Sequence, residues 1–411
     1  MHSVFDDVQI LTKKYFELWE SSASDISFLE EYTPKQKKSA ENEICRAIYE
    51  ITDQIDSLPA DIDDKEWQGH LKGKIAEKAR MFLKIKNKDF ETLMINGFLD
   101  STDDFISKAR KFDENLNFED IYQAMRNVWI MNIIQVTANK KIACTPSVFA
   151  YSMLYPYTDN YLDDPEISVS EKEQFNKRLR KRLEGEKLEP VNKHEMQIYE
   201  LIGIIESEYN REKYPKVFES ILCIHAGQCK SLEQQDLRQN TETQDILNIS
   251  IEKGGTSVLA DAYLACGNLD ETLADIMFGF GFVLQLVDDL QDTKVDFENN
   301  HITIFSKNIK KVKLDFLTSR LISLAANTLD FSSYNKSPYT DSIKKLIMDN
   351  TLLLIFEAIW QSKNLYTRKY IKNIQKNTPF SYKVLHRKMK KQKNKFKSIE
   401  NKYNLLYKKE V

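Results

Sequence analysis

Apolar residues recur every three to four positions along most of this chain, the period of a helix that buries one face. The first hundred residues carry that pattern between three candidate breaks, at Thr33-Pro34, at SLPADIDD (57–64) and at Asn96-Gly97. The segment NFEDIYQAMRNVWIMNIIQV (117–136) reads as a helix with a wide apolar face and an acidic first turn, which suits the positive end of the helix dipole. A second helix is predicted from Pro146 to Asp164, with Pro165 as its stop. A charged helix follows over 171–186, then helices over 194–210, 216–235 and 254–267, and then the one containing GFGFVLQLVDDLQD (279–292). The polar stretches LRQNTETQD (237–245) and SSYNKSPYT (332–340) read as loops, and a last long helix is expected over 341–371.

Composition sharpens this into an all-α fold. The 411 residues include only Gly 11 and Pro 9, far below average usage of about 7% and 5%, and a sheet protein needs more turn formers than that. The simplest partition is one helical domain over 1–380, with 1–115 as its N-terminal part, and a basic tail over 381–411. In that tail eleven Lys and Arg stand against Glu400 and Glu410 alone. The tail suits an anionic membrane surface, as peripheral association, or a solubilising end.

A net charge of −3 speaks against general nucleic-acid binding. The opening MHSVFDDVQILTKK lacks the basic start and apolar core of a secretory leader. The densest apolar stretches, 128–136 and 351–360, are too short to span a bilayer. Five cysteines without CxxC spacing read as free thiols, so a reducing, cytoplasmic location is expected.

The chemistry concentrates in two acidic clusters. On a helix, Asp288 and Asp292 share a face, with Asp296 one turn further, and like charges at that spacing repel. An exposed acidic helix end would account for one such cluster. Asp159 and Asp163 repeat the spacing, with Asn160 and Asp164 one position on, again after an apolar and aromatic run. Two such clusters facing each other would form a rim able to hold magnesium and a diphosphate, since magnesium takes oxygen ligands and often bridges carboxylates to phosphates. Below the rim, Tyr155 and Tyr151 lie on the Asp159 stripe, and Leu284 and Phe280 on the Asp288 stripe. These side chains are either plain core or the lining of a pocket for a long apolar tail, where aromatic faces attract a developing cation.

The order of these motifs resembles the class I isoprenoid synthases, which include trans-prenyl diphosphate synthases and terpene cyclases. DNYLD (159–163), Gly227-Gln228, KGGT (253–256) and LQLVDDLQD (284–292) stand where that family has DDxxD, GQ, a Lys-Thr region and FQxxDDxxD. The resemblance covers roughly a third of the chain. It implies a helical bundle around a central cavity, and ionisation of a prenyl diphosphate with three magnesium ions. Carried over residue by residue, it makes Asp159, Asp163, Asp164, Asp288, Asp289 and Asp292 metal ligands. Asp159, Asp163, Asp288 and Asp292 would be the catalytic core of that set. Lys253 would meet the diphosphate, Gln285 and Gln228 would lie near the cavity, and Tyr155 would set its depth.

The departures are also informative. Asn160 replaces an aspartate, no arginine pair follows the first motif, and no GGKRxRP-like segment precedes it. An elongating enzyme holds two diphosphates and needs those basic groups, whereas a cyclase holds one. The expectation is therefore a magnesium-dependent terpene synthase, closest to bacterial enzymes with synthase-like aspartate motifs such as the large-terpene synthases. The alternatives are a prenyl diphosphate synthase, a squalene- or phytoene-type condensing enzyme, or a non-catalytic regulatory subunit of the same fold. Homodimerisation is left open. Further basic candidates are Arg126, mid-helix in an apolar segment, Arg238 in the polar loop, and Arg368 with Tyr370 near the C-terminus. His225, one turn from Gln228, reads as a hydrogen-bonded core histidine.

Overall fold

The computed structural model describes residues 3–56, 88–164, 166–232, 241–331, 334 and 336–387. Among the described residues the regular structure is helical and there is no strand, as the pattern predicts. No described helix is long and apolar enough to cross a membrane. The helices are α1 (Val4–Ser21), α2 (Pro34–Asp56), α3 (Lys88–Phe112), α4 (Phe118–Thr137), α5 (Pro146–Asp163), α6 (Val169–Leu183) and α7 (Lys193–Glu208). They continue with α8 (Pro215–Leu232), α9 (Thr243–Cys266), α10 (Glu271–Gln291), α11 (Thr293–Glu298), α12 (Asp315–Thr328), α13 (Thr340–Gln361) and α14 (Arg368–Asn377).

The chain forms two compact units. The first takes Met1–Ile26 and Gln123–Ala358, and it holds both aspartate motifs. At its centre lies α9, buried on nearly every face from Ile246 to Ala265, as a helix apolar all round requires. It packs against α8, α10, α1 and α5. Helix α1 starts at a reciprocal Ser3–Asp6 capping box and lays Tyr15 on Phe278, ring centroids 5.8 Å apart, with the Tyr15 hydroxyl donating to the Asp275 carbonyl at 2.9 Å. Trp19, further along α1, is fully buried.

The second unit takes Ser27–Tyr122 and Ile359–Val411, drawing on both halves of the sequence. Its described core includes Phe90, Met94, Phe105 and Ala109 of α3. There Asn377, at the end of α14, donates through its amide to the Leu29 and Glu30 carbonyls at 3.2 and 3.1 Å. Tyr32 N–H donates to the Lys376 carbonyl at 2.9 Å, so two distant segments are tied by backbone as well as side chain.

Three predicted boundaries change. Asn96-Gly97 is no break, because α3 runs through it; Phe90, Met94, Phe105 and Ile106 bury a continuous stripe whose packing outweighs the roughly 1 kcal/mol that glycine costs a helix. The last predicted helix is two, since α13 ends at Gln361 and a 3-10 turn over Lys363–Leu365 re-aims the chain before Thr367 caps α14. Lys253 and its two glycines lie inside α9, which begins at Thr243 rather than near residue 254. SLPADIDD, Pro165, residues 237–240 of the predicted 237–245 loop and residues 388–411 of the basic tail lie outside the described residues, and 243–245 of that loop are the first turn of α9. None of the five cysteines is in a disulfide; Cys144 and Cys223 are buried, the others partly so.

Candidate active site

Two helices carry the aspartate motifs, and each is fixed at its far end. Helix α5 starts at Thr145, whose hydroxyl accepts from Val148 N–H at 3.4 Å, with Pro146 already suited to the first helical position. Ser147 then anchors it: its N–H donates to Glu208 Oε2 at 2.7 Å, and its hydroxyl lies 2.6 Å from that oxygen and 3.0 Å from the Leu264 carbonyl. The start of α5 is thereby tied to the ends of α7 and α9. Helix α10 is capped by Asp270, which accepts from Leu273 N–H at 2.9 Å.

A close crossing brings the second motif to Lys253. A Cβ on Gly254 would strike Gln285 and the Gly281 carbonyl, and one on Gly281 would strike the Gly254 carbonyl. Only two glycines let α9 and α10 touch backbone to backbone here. Gly227 does the same for α8, since a Cβ there would lie 3.2 Å from Thr256 Oγ1 and 3.3 Å from Lys253 Cα. The Gly227-Gln228 pair and the 253–256 segment are thus packed on each other, with Gln228 and Lys253 both partly exposed.

At this crossing the charges converge. The Tyr155 phenol is pushed far up by burial, then by Asp159 and Asp288, against the opposing field of Arg126. One side chain therefore feels both aspartate motifs, although they are far apart in sequence. Asp288 is raised by burial and then by Asp292, while Lys253 and Arg126 oppose the rise. Asp292 is raised by burial and opposed by Lys253. Asp296 is pushed up to about 8 by burial and then by Asp289, Asp292 and Asp288, and it sits 3.6 Å from His301 Nδ1.

Tyr155 and Asp288 each present surface to water and yet are strongly desolvated. The two observations agree if these side chains line a recess, where solvent reaches them through a mouth and protein fills the other directions. Tyr151 and Leu284 are partly exposed one turn deeper on their stripes, while Phe280 is buried.

The aspartates do not all play one part. Asp289 is buried, accepting from Ser250 Oγ at 2.9 Å and Gln285 Nε2 at 2.8 Å. Burial pushes it to about 6, and both its oxygens are already engaged. Gln285 is held by that bond. Asp164 closes the turn after α5, accepting from Glu166 N–H at 2.9 Å. The side chain of Asp163 and all of Arg238 lie outside the described residues. Arg368 and Tyr370 belong to the second unit, where Tyr370 stacks on Tyr366 at 5.5 Å. His225 is buried and pushed down to about 4, with Cys229 Sγ 3.9 Å from its Nε2, so it stays neutral in the core.

Among the described residues, no three Asp, Glu, His or Cys side chains form a metal-ligand group by themselves. Magnesium does not require one, because it commonly binds through one or two carboxylates and completes its shell with water and substrate phosphates. Asp159, Asp288 and Asp292 offer hard oxygens of that kind, and the mutual repulsion of Asp288 and Asp292 is what a divalent cation relieves. The donor set therefore fits.

Sequence reasoning left Arg126 open between surface and site, and the structure puts its charge on both Tyr155 and Asp288. Asp261 was missed, although an aspartate in the apolar run VLADAYLAC was the available signal. It is buried, accepts from Asn127 Nδ2 at 3.0 Å, and acts on Tyr151. The same Asn127 amide reaches Ser152 Oγ at 3.3 Å. Comparison of the chain with protein-family models, curated proteins and solved structures gives no match.

Proposed function

We propose that this chain is a class I terpene synthase, which ionises a linear prenyl diphosphate with magnesium and converts the carbocation to a cyclic or linear terpene. The observation that carries the reading is the convergence of the two aspartate motifs, Asp159 and Asp288, on Tyr155, with two cations beside them in Arg126 and Lys253. Acidic groups suit a metal, basic groups suit a diphosphate, and both stand at the mouth of a recess lined by Tyr155 and Tyr151.

Asp159, Asp288 and Asp292 would hold magnesium, with Asp163 expected beside them from the resemblance. Bound there, magnesium supplies charge that stabilises the departing diphosphate. Lys253 and Arg126 add preorganised positive charge where negative charge grows as the carbon–oxygen bond breaks. Gln285 is kept in place by Asp289. The faces of Tyr155 and Tyr151 are available to the allylic cation, and cation–π attraction is worth about 2 kcal/mol or more when desolvated.

The test is incubation with C10 to C35 prenyl diphosphates and magnesium, followed by organic extraction and a diphosphate assay. Hydrocarbon or alcohol from a single substrate supports the reading. A longer diphosphate formed only with isopentenyl diphosphate would make the chain an elongating enzyme instead. Replacement of Asp288 and Asp292 together by alanine is expected to lower diphosphate release at least about 100-fold, the scale of losing a preorganised electrostatic group. Full activity in that variant would sink the assignment.

A further inference from the structure

Helix α5 carries Asp159 near its end, and a proline weakens the helix just before it. Pro156 lies inside α5, so it gives no N–H to the Ser152 carbonyl one turn back, and it disfavours helical backbone at Tyr155. Residues 157–163 therefore depend on their neighbours for their place. Thr158 supplies part of the hold, its hydroxyl donating across the proline to the Leu154 carbonyl at 2.9 Å. The rest comes from α6 and α7. His194 Nε2 lies 2.7 Å from the Tyr157 carbonyl; a carbonyl only accepts, so Nε2 carries the proton and is the donor. The His194 ring stacks on Tyr161, with centroids 4.6 Å and planes 15° apart, and on Tyr157 at 6.0 Å and 23°. Phe175 of α6 closes the cluster, 5.6 Å from His194 and 4.6 Å from Tyr161. Gln197 Nε2, one turn along α7, donates to the Tyr157 hydroxyl at 3.2 Å.

This grip falls on the face of α5 away from Asp159. Tyr157 and Tyr161 stand two residues either side of it, about 160° round the helix, whereas Tyr155 shares its side. The wall behind the grip is itself braced. Arg178 of α6 meets the buried Glu195 of α7 at 2.9 and 3.0 Å, and Glu195 also accepts from Val191 N–H at 3.1 Å. Asn192 caps α7 by accepting from Glu195 N–H at 2.8 Å, which fixes the turn that bears His194. Burial pushes the imidazole down, against the Tyr157 bond and Glu195, so the ring stays neutral with one proton to give. Among the described residues its Nδ1 has no hydrogen-bond partner, which leaves the Tyr157 carbonyl as the polar anchor of the ring.

We propose that His194 is a positioning residue for the metal site: through the Tyr157 carbonyl it holds the Asp159 turn of α5 in place for magnesium. The inference rests on the terpene synthase reading above, which makes Asp159 a magnesium ligand. His194 touches neither metal nor substrate, because it grips the opposite face of α5. Without its bond, residues 157–163 are free to turn about the proline, and magnesium binding has to bring Asp159 back. The loss then falls on metal affinity and not on the chemistry, since a filled site restores the same arrangement of ligands.

The experiment titrates magnesium into the full chain by calorimetry with inorganic diphosphate present, and follows diphosphate release from C10 to C35 prenyl diphosphates separately. His194→Ala is expected to raise the magnesium dissociation constant about tenfold, the upper end for one hydrogen bond, with kcat at saturating magnesium within about threefold of wild type. His194→Phe refills the ring slot without the donor, so it carries the test if the alanine variant fails to fold, and it is expected to bind magnesium as weakly. His194→Gln restores a donor of similar reach and is expected to recover most of the affinity. A phenylalanine variant that binds magnesium as tightly as the wild type would show that His194 only fills space, which overturns its positioning role and leaves the terpene synthase reading standing. A glutamine variant no better than the phenylalanine one overturns it too. A wild-type protein that neither binds magnesium nor releases diphosphate overturns both.

Discussion

Arg126 shows how much a single residue's meaning depends on what faces it. It is exposed and sits one position from the partly buried Asn127, yet its charge acts on Tyr155 and on Asp288. A diphosphate at the rim would replace water around that guanidinium and gain a charge-assisted hydrogen bond, worth about 1.5–3 kcal/mol. Arg126→Ala is therefore expected to raise KM for a prenyl diphosphate about tenfold or more, with thermal stability nearly unchanged, as steady-state kinetics and a melting curve will show. Asp289 makes the opposite case. It has the position of a metal ligand in the motif, and in the fold it spends both oxygens on Ser250 and Gln285.

Among the elements, the crossing of α9 and α10 governs the site. Gly254 and Gly281 meet backbone to backbone, so neither helix can yield locally to an added methyl. Gly281→Ala is expected to cost about 1–3 kcal/mol or more, the range for overpacking a close contact, and to move Asp288 away from Lys253. Denaturant unfolding measures the first effect and diphosphate release the second. A variant as stable and active as the parent would show that the crossing has slack. In the sequence Gly281 stood only within 279–292, a helix ending in carboxylates. Its partner Gly254 was legible only as part of a Lys-Thr motif, because no local pattern says which helix a glycine will meet.

For the whole molecule, the buried carboxylates set a pH dependence. Asp289 titrates near 6 and Asp261 and Asp296 near 8, with Asp288 and Asp292 also raised. Their unfolded values lie near 4, so between pH 4 and pH 8 the folded protein binds more protons than the unfolded chain. Stability is then fully present below that window and falls as pH rises through the folded values. The melting temperature of the metal-free protein is expected to decline from pH 5 to pH 9. Asp296→Asn should flatten the decline, and magnesium should do so if it binds the same carboxylates. A melting temperature that rises over this range would contradict the placement of these groups. The division into two units also belongs to this scale. The second unit joins residues 27–122 to the C-terminal segment through contacts such as Asn377 to Leu29 and Glu30, and no local periodicity encodes a pairing over that separation.

By itself the sequence determined the helical class, most of the elements and the two acidic stripes, because burial of one helix face and like charges at four-residue spacing leave local, periodic marks. It also marked Asp159 and Asp288 as a pair worth setting together. Only the tertiary structure decided that Tyr155 feels both of them, that Asp289 turns to Ser250 and Gln285, that the charge of Arg126 acts on Tyr155 and Asp288, and that Asp261 is buried and acts on Tyr151. The physical reason is common to all four. A carboxylate's solvation and field are set mainly by residues on other helices, as Asp289 is by Ser250 and Asp261 by Asn127, and those neighbours exist only once the chain has packed.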